Sequence, residues 1–220
     1  MKVALIGSGK TGSKVLEAHS STTVFNRSNI PTTQSLAGHD VIISFLPGDA
    51  FLELIPTLIE TGIPVVTGST GFKWPSTIDT DLKNNNVAWI HATNFSLGMN
   101  LVHQMIGILS KAKSLFLDAE FNIHEVHHTK KLDAPSGTAL SWQDWVGSKC
   151  EITSERTGDV IGIHELSLNT KNETIFLKHE AKDRGIFAAG ALWAAKHITT
   201  KNKVSSGLNA FADVILKELK

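Results

Sequence analysis

Six residues near the start of the chain, Gly7-Ser8-Gly9-Lys10-Thr11-Gly12, have the spacing G-x-G-x-x-G and directly follow the apolar run Lys2–Ile6. Glycines so spaced permit a tight turn, close approach of a pyrophosphate and close packing of a helix on a strand. The helix N-terminus adds free N–H groups and a favourable dipole. That is the chemistry of dinucleotide binding. Gly9-Lys10-Thr11 also looks like the end of a G-x-x-x-x-G-K-T phosphate loop, but that pattern needs glycine where Ala4 stands, inside the strand. Where a dinucleotide fold usually holds the adenosine ribose with an Asp or Glu, the chain has Asn26-Arg27-Ser28. No carboxylate there repels a phosphate and an arginine is present. The spacing therefore favours a ribose 2′-phosphate, with NADPH the preferred cofactor and NADH the second.

A second cluster is His124-Glu125-Val126-His127-His128, which matches the zinc pattern H-E-x-x-H. Zinc requires that pattern on a helix, and here the preceding residues alternate as in a strand. Positions four apart on a strand are separated by about 13 Å, too far for two ligands of one zinc. No metal is expected. The segment continues as Thr129-Lys130-Lys131-Leu132-Asp133-Ala134-Pro135-Ser136-Gly137-Thr138. Two histidines and two lysines at a strand end, followed by a helix start, make a cationic anion site. Ser136 or a neighbour suits the helix cap, and the N–H groups of Gly137 and Thr138 would face an incoming carboxylate. A histidine titrating near neutrality is the natural proton donor.

These groups need a frame. Lys2–Ile6, Thr22–Phe25, Asp40–Leu46, Pro64–Thr67 and Val87–Ile90 are short apolar runs bounded by Gly, Pro or Asn, which predicts buried parallel strands. Helix signals lie between them at Gly12–Ala18, Ala50–Thr61 and Ser76–Asn84; Asn26 to His39 predicts only a loop or a very short helix. The alternation predicts βαβ units and a Rossmann-like dinucleotide-binding domain. After Phe95 the pattern mixes: helices at Leu97–Ala112, Ser136–Ser148, Arg184–Ile198 and Ala210–Lys220, strands at Ser114–His127, Val160–Leu168 and Glu173–Ala181. On the long strand Phe121, Ile123, Glu125 and His127 share one face. The expected class is α/β, with a C-terminal α+β domain.

Composition agrees with a globular chain: 220 residues, 41% hydrophobic and 19% charged, with 21 basic and 21 acidic residues. A net charge of zero argues against a protein that coats nucleic acid. The single cysteine, Cys150, excludes an intrachain disulfide framework, and Val3–Ile6 is too short for a signal-peptide core, so a cytoplasmic setting is expected. No run approaches the length of a membrane span.

The stretch Glu125-Val126-His127-His128-Thr129-Lys130-Lys131-Leu132-Asp133-Ala134-Pro135-Ser136-Gly137-Thr138-Ala139-Leu140 closely resembles the signature of the dihydrodipicolinate reductase family. Matching segments follow in order: the glycine motif, Gly68-Ser69-Thr70-Gly71-Phe72, Ala92-Thr93-Asn94-Phe95-Ser96, Arg156-Thr157-Gly158-Asp159 with Gly162 and His164, and Arg184 to Leu192. The resemblance implies reduction of a cyclic dicarboxylate, 4-hydroxy-tetrahydrodipicolinate, in lysine and diaminopimelate synthesis. It implies His127 and Lys131 as proton donors, and His128, Ser136, Gly137 and Thr138 as substrate-carboxylate partners. Cofactor contacts would fall on Gly7, Ser8, Gly9, Lys10, Thr11 and Gly12, on Asn26 and Arg27, on Gly68, Ser69 and Thr70, and on Ala92, Thr93, Asn94 and Phe95. It further implies residues 1–96 and 206–220 as the nucleotide domain, residues 97–205 as the substrate domain, and a homotetramer.

Two other readings stand beside this one. One is a different nicotinamide-dependent reductase of a cyclic imine or amino acid on the same fold. The other is a non-catalytic nucleotide sensor that tolerates loss of His127. Trp142, Trp145 and Trp193 are expected in packing, and His91, His103, His179 and His197 in structural roles.

Overall fold

The computed structural model describes residues 1–219; Lys220, the last residue of the expected C-terminal helix, lies outside the described residues. The chain divides into two compact units, Met1–Leu97 with the segment from Gly185 onward, and Gly98–Arg184.

The first unit begins β1 (Val3–Ile6), α1 (Lys10–Ala18), β2 (Thr22–Phe25), α2 (Thr33–Leu36), β3 (Val41–Ser44), α3 (Gly48–Thr61), β4 (Val65–Thr67), α4 (Ile78–Asn84) and β5 (Ala88–His91). The second crossover is indeed a short helix, α2, which Thr32 and Ser35 cap reciprocally. Strand period 2 divides β1 between two cores. Val3 and Leu5 face a core that includes Val41, Ile43, Val66 and Ile90; Ala4 and Ile6 face one that includes Phe25, Leu36, Phe51 and Trp89. Burial on both faces is why these strands read as unbroken apolar runs.

The second unit carries α5 (Leu97–Leu109), β6 (Glu120–His127), α6 (Gly137–Val146), β7 (Glu151–Arg156), β8 (Gly162–Asn169) and β9 (Thr174–Ala181). Its sheet has the order β7-β6-β8-β9. Met99, Val102 and Ile106 of α5, Trp142 and Val146 of α6, and Phe121, Ile123, Leu166 and Leu168 of the sheet form one core. Trp142 is fully buried and its Nε1 donates to Met99 Sδ, a packing role as expected. The strand expected from Ser114 starts only at Glu120, because Ser110–Ser114 is a 3-10 turn continuing from α5. Its S-K-A-K-S sequence has no period-2 alternation to favour a strand. The edge strand β7 was not foreseen, since E-I-T-S-E-R offers one apolar side chain.

The chain returns to the first unit through α7 (Gly185–Thr199), β10 (Gly207–Ala210) and α8 (Phe211–Glu218). With β10 the sheet has six strands in the order β10-β5-β4-β3-β1-β2, every pairing parallel. The compact unit thus resumes at Gly185, not at 206 as the sequence reading placed it. Ala188, Ala191, Ala194 and Ala195 explain the difference: they form a small-residue face that seats α7 on the same core as Val3 and Val41. Among the described residues no helix is long and apolar enough to cross a membrane.

At Gly190 the fit leaves no room, for a Cβ would stand 1.7 Å from the Phe95 carbonyl oxygen. Gly190→Ala should therefore lower stability by about 1–3 kcal/mol, read as a fall in the thermal midpoint. An unchanged midpoint would mean that α7 is not seated against Phe95.

Candidate active site

In the first unit every expected cofactor segment follows the carboxyl end of a parallel strand: Gly7 after β1, Asn26 after β2, Gly68 after β4 and Ala92 after β5. The strand order reverses at β1, with β2 on one side and β3 on the other, and ligands of open α/β sheets bind at such a switch point. Gly7 has φ +93°, a left-handed conformation that suits glycine. A Cβ on Gly12 would stand 2.0 Å from Gly7 O, so the loop folds tightly on α1, while Gly9 has nothing within 4 Å of its Cβ position. No side chain caps α1 and its first turn has no acid, which leaves its N–H groups for a phosphate. These residues fit a dinucleotide.

At the end of β2, Asn26 Oδ1 accepts from the N–H groups of Ser28 (2.8 Å) and Asn29 (3.1 Å). Asn26 thus shapes a turn, and that turn presents Arg27, which is exposed. Ser69 is buried with its Oγ 3.5 Å from Ser44 Oγ, Ala92 N–H donates to Thr67 O, and Asn94 Oδ1 accepts from Ser96 N–H. Thr70 and Thr93 are exposed and Phe95 is buried, in edge contact with Phe45.

In the second unit the sheet register builds the other site. Glu125 and His127 lie two apart on β6 and so share a face. The parallel partner β7 sets Ser154 beside Glu125 and Arg156 beside His127; antiparallel β8 sets His164 opposite Glu125. Glu125 is fully buried. Its Oε1 accepts from Arg156 Nη2 at 2.8 Å and from Ser136 N–H at 3.3 Å, and its Oε2 faces His127 Nδ1. His164 Nε2 lies 3.2 Å from Ser136 Oγ, which caps α6 by accepting from Ala139 N–H. The His127 and His164 rings meet edge-on, 5.0 Å between centroids. Of this group only His127 and Ser136 were named as site residues from the sequence. A charged residue on the inward parity of a strand, between Ile123 and His127, was the available signal for Glu125.

Burial works against the charge on Glu125, but hydrogen bonds from Arg156 and Ser154 and the charges of His127 and Arg156 hold its pKa at about 2. Burial lowers His127; Glu125 offsets part of this, and Lys131 and Arg156 add to it. His164 falls to about 4, first through burial and then through the charge of His127. Glu125, His127 and His164 bring three donor atoms within 4.8 Å of one another, a set able to hold a metal ion. The Arg156 guanidinium already bound to the same carboxylate opposes a further cation there, and we read the cluster as a proton-holding network. His124 and His128 do not share a helical turn: the first is on β6, with Nδ1 2.8 Å from Thr153 Oγ1, and the second follows the strand's end.

Lys131 Nζ donates to both carboxylate oxygens of Asp133, at 2.8 and 2.9 Å. That bond, with help from the Gly137 N–H, lowers the Asp133 pKa. Lys131, in the loop before α6, thus already holds a carboxylate, one from the chain itself. Gly137 is exposed, Thr138 and His128 are half-buried, and His128 Nδ1 has no hydrogen-bond partner among the described residues.

The sequence pattern described as dihydrodipicolinate reductase, C-terminus, matches residues 98–215. A 4-hydroxy-tetrahydrodipicolinate reductase of Haloarcula marismortui is 33% identical over 195 residues, 80% of this chain and 76% of that one. The chain belongs to the dihydrodipicolinate reductase family. A further relative, from Thermosipho africanus, is 34% identical over 176 residues, covering 80% of this chain and 78% of its own. Among solved structures, a dipicolinate-bound dihydrodipicolinate reductase from Paenisporosarcina sp. TG-14 covers 96% of this chain and 97% of its own, with TM-score 0.73 and 21% identity. An amine dehydrogenase of Mycobacterium smegmatis, at TM-score 0.66 and 10% identity, covers 96% and 95%. Both likenesses speak to the fold, which hosts more than one activity. The family resemblance read from the sequence is therefore correct, and so is the α/β class with its Rossmann-like sheet.

The histidine pKa shifts set a pH dependence. His164 stays neutral in the folded protein down to about pH 4, whereas the unfolded chain protonates it below about 6.5. Unfolding therefore takes up a proton between those values, and stability falls as pH drops from about 6.5 to about 4. His164→Gln should make that fall shallower in thermal midpoints taken across the range. Parallel curves for the two proteins would contradict the assignment.

Proposed function

We propose that this chain, as a reductase of its family, reduces 4-hydroxy-tetrahydrodipicolinate to tetrahydrodipicolinate with a nicotinamide dinucleotide, NADPH in preference to NADH. The observation that carries the substrate class is the carboxylate of Asp133 held by Lys131, beside the start of α6. A site that retains its own carboxylate suits one from a substrate, and a dicarboxylate needs more than one cationic or N–H partner. In this reading a substrate carboxylate replaces that of Asp133, the N–H groups of Gly137 and Thr138 donate to it together with Ser136 and His128, and Lys131 is released to the ring.

The ring loses its 4-hydroxyl as water, and the nicotinamide, when bound, would supply hydride to a carbon of the resulting unsaturated ring. His127, aided by Lys131, delivers the proton that the electron-rich ring then takes. Burial keeps His127 below its ordinary pKa in the free protein; the negative charge of an arriving dicarboxylate favours its protonated form. The cofactor lies along Gly7 to Gly12, with Gly68, Ser69, Thr70 and the segment Ala92 to Phe95 beside the nicotinamide end. Arg27 faces the 2′-phosphate, on a turn shaped by Asn26. The first unit is then the nucleotide domain and the second the substrate domain. A homotetramer in the cytoplasm completes the reading.

With substrate generated in place by a coupled synthase, NADPH should be oxidised rapidly and only when the synthase product is present. No oxidation with NADPH or NADH, in protein that binds NADPH, would overturn the activity. His127→Ala and Lys131→Ala should each lower turnover by about 100-fold or more; wild-type turnover in both would remove their roles. Arg27→Ala should raise KM for NADPH about tenfold, the loss of one charge-assisted contact, and leave KM for NADH nearly unchanged. Equal effects on both cofactors would remove the 2′-phosphate contact.

A further inference from the structure

We propose that Glu125, anchored by Arg156, is the positioning residue for His127. It holds the proton on Nδ1, so that the proton given to substrate leaves from Nε2. This rests on the reading of His127 as a proton donor.

Glu125 is wholly buried, with hydrogen bonds to Oε1 and the His127 ring facing Oε2. Arg156 Nη2 and the Ser136 N–H both donate to Oε1, which leaves Oε2 to face His127 Nδ1. Arg156 is itself held, since Nη2 also donates to Asp133 O at 2.5 Å and Nη1 to Glu155 O at 2.7 Å. The carboxylate is thus not free to turn away. A carboxylate only accepts, so the facing ring nitrogen carries a hydrogen in the neutral ring as well as in the imidazolium. The exchangeable proton is then the one on Nε2. Gly162 flanks that nitrogen: a Cβ there would stand 3.1 Å from Nε2. The absent side chain keeps this edge of the ring clear.

The groups that face the ring from neighbouring elements are consistent with this assignment. Lys131 and Arg156 are cations, and His164, held neutral by burial, contacts it edge-on. Among the described residues, Glu125 is the anion that acts most strongly on His127. Its charge is also balanced in place. A buried carboxylate left without Arg156 would instead take up a proton, and a carboxylic acid could donate to Nδ1 and reverse the tautomer.

Glu125→Gln tests this, because glutamine keeps the shape and loses the second acceptor. Arg156 only donates, so it claims the one amide oxygen and turns the NH2 toward His127. Nδ1 must then accept, and the neutral ring carries its proton on Nε2. Long-range ¹H–¹⁵N spectra of histidine-labelled protein near pH 8 distinguish the two tautomers, with His127→Ala used to assign the signal. Wild type should show Nδ1–H and the variant Nε2–H. Turnover should fall at least about tenfold, as when a catalytic histidine loses its orienting carboxylate, with KM for NADPH within about twofold. A wild-type ring protonated at Nε2 overturns the proposal, and this holds even if the variant does not fold. So does a folded variant with unchanged tautomer and turnover. Wild-type turnover in His127→Ala would instead sink the proton-donor reading and leave the tautomer result to stand separately.

Discussion

A carboxylate with no access to water must be matched at every lone pair, and the second unit is organised around meeting that demand for Glu125. An unpaired charge there would cost several kcal/mol. Arg156 and Ser154 meet part of the demand from β7, the Ser136 N–H part of it from the start of α6, and His127 faces Oε2 from two positions along the same strand. The register of β6 against β7 and β8 is what brings these groups to one point. A slip of one residue would turn Glu125 and His127 to the opposite face and leave Arg156 without its partner. The site and the sheet therefore specify each other.

Each unit offers an anion the same chemistry by a different route. In the first, a glycine loop opens α1 with no capping side chain and no acid in its first turn. In the second, Ser136 caps α6 through Ala139 N–H, and the preceding loop supplies Lys131. Asp133 reports on that second site from within the chain. Its carboxylate is held by Lys131 and its pKa is lowered, first by that bond, so the local field already favours negative charge.

Much of this was legible in the sequence, for identifiable reasons. The parallel strands are buried on both faces, so they appear as apolar runs. The glycine motif depends on local geometry, which six residues are enough to encode. The long Glu125–Leu140 signature carried the family. What escaped was set by tertiary pairing. β7 has one apolar residue and is a strand because β6 offers it an edge. β10 has four residues and is defined by its pairing with β5. The place of α7 with the first unit depends on a face of alanines that fits helix-on-sheet packing in either unit equally well from sequence alone. Arg156 and His164 lie 31 and 39 residues from Glu125 in the chain, and only the folded sheet brings them to it.

In the proposed reading the start of α6, with Lys131 and His127, holds and protonates a cyclic dicarboxylate. A crystal structure of the protein with NADPH and pyridine-2,6-dicarboxylate tests it most directly. The account predicts one carboxylate on the N–H groups of Gly137 and Thr138, the Lys131–Asp133 pair broken, and the ring beside His127 Nε2. A dicarboxylate bound elsewhere, or bound there with the Lys131–Asp133 pair intact, would contradict it.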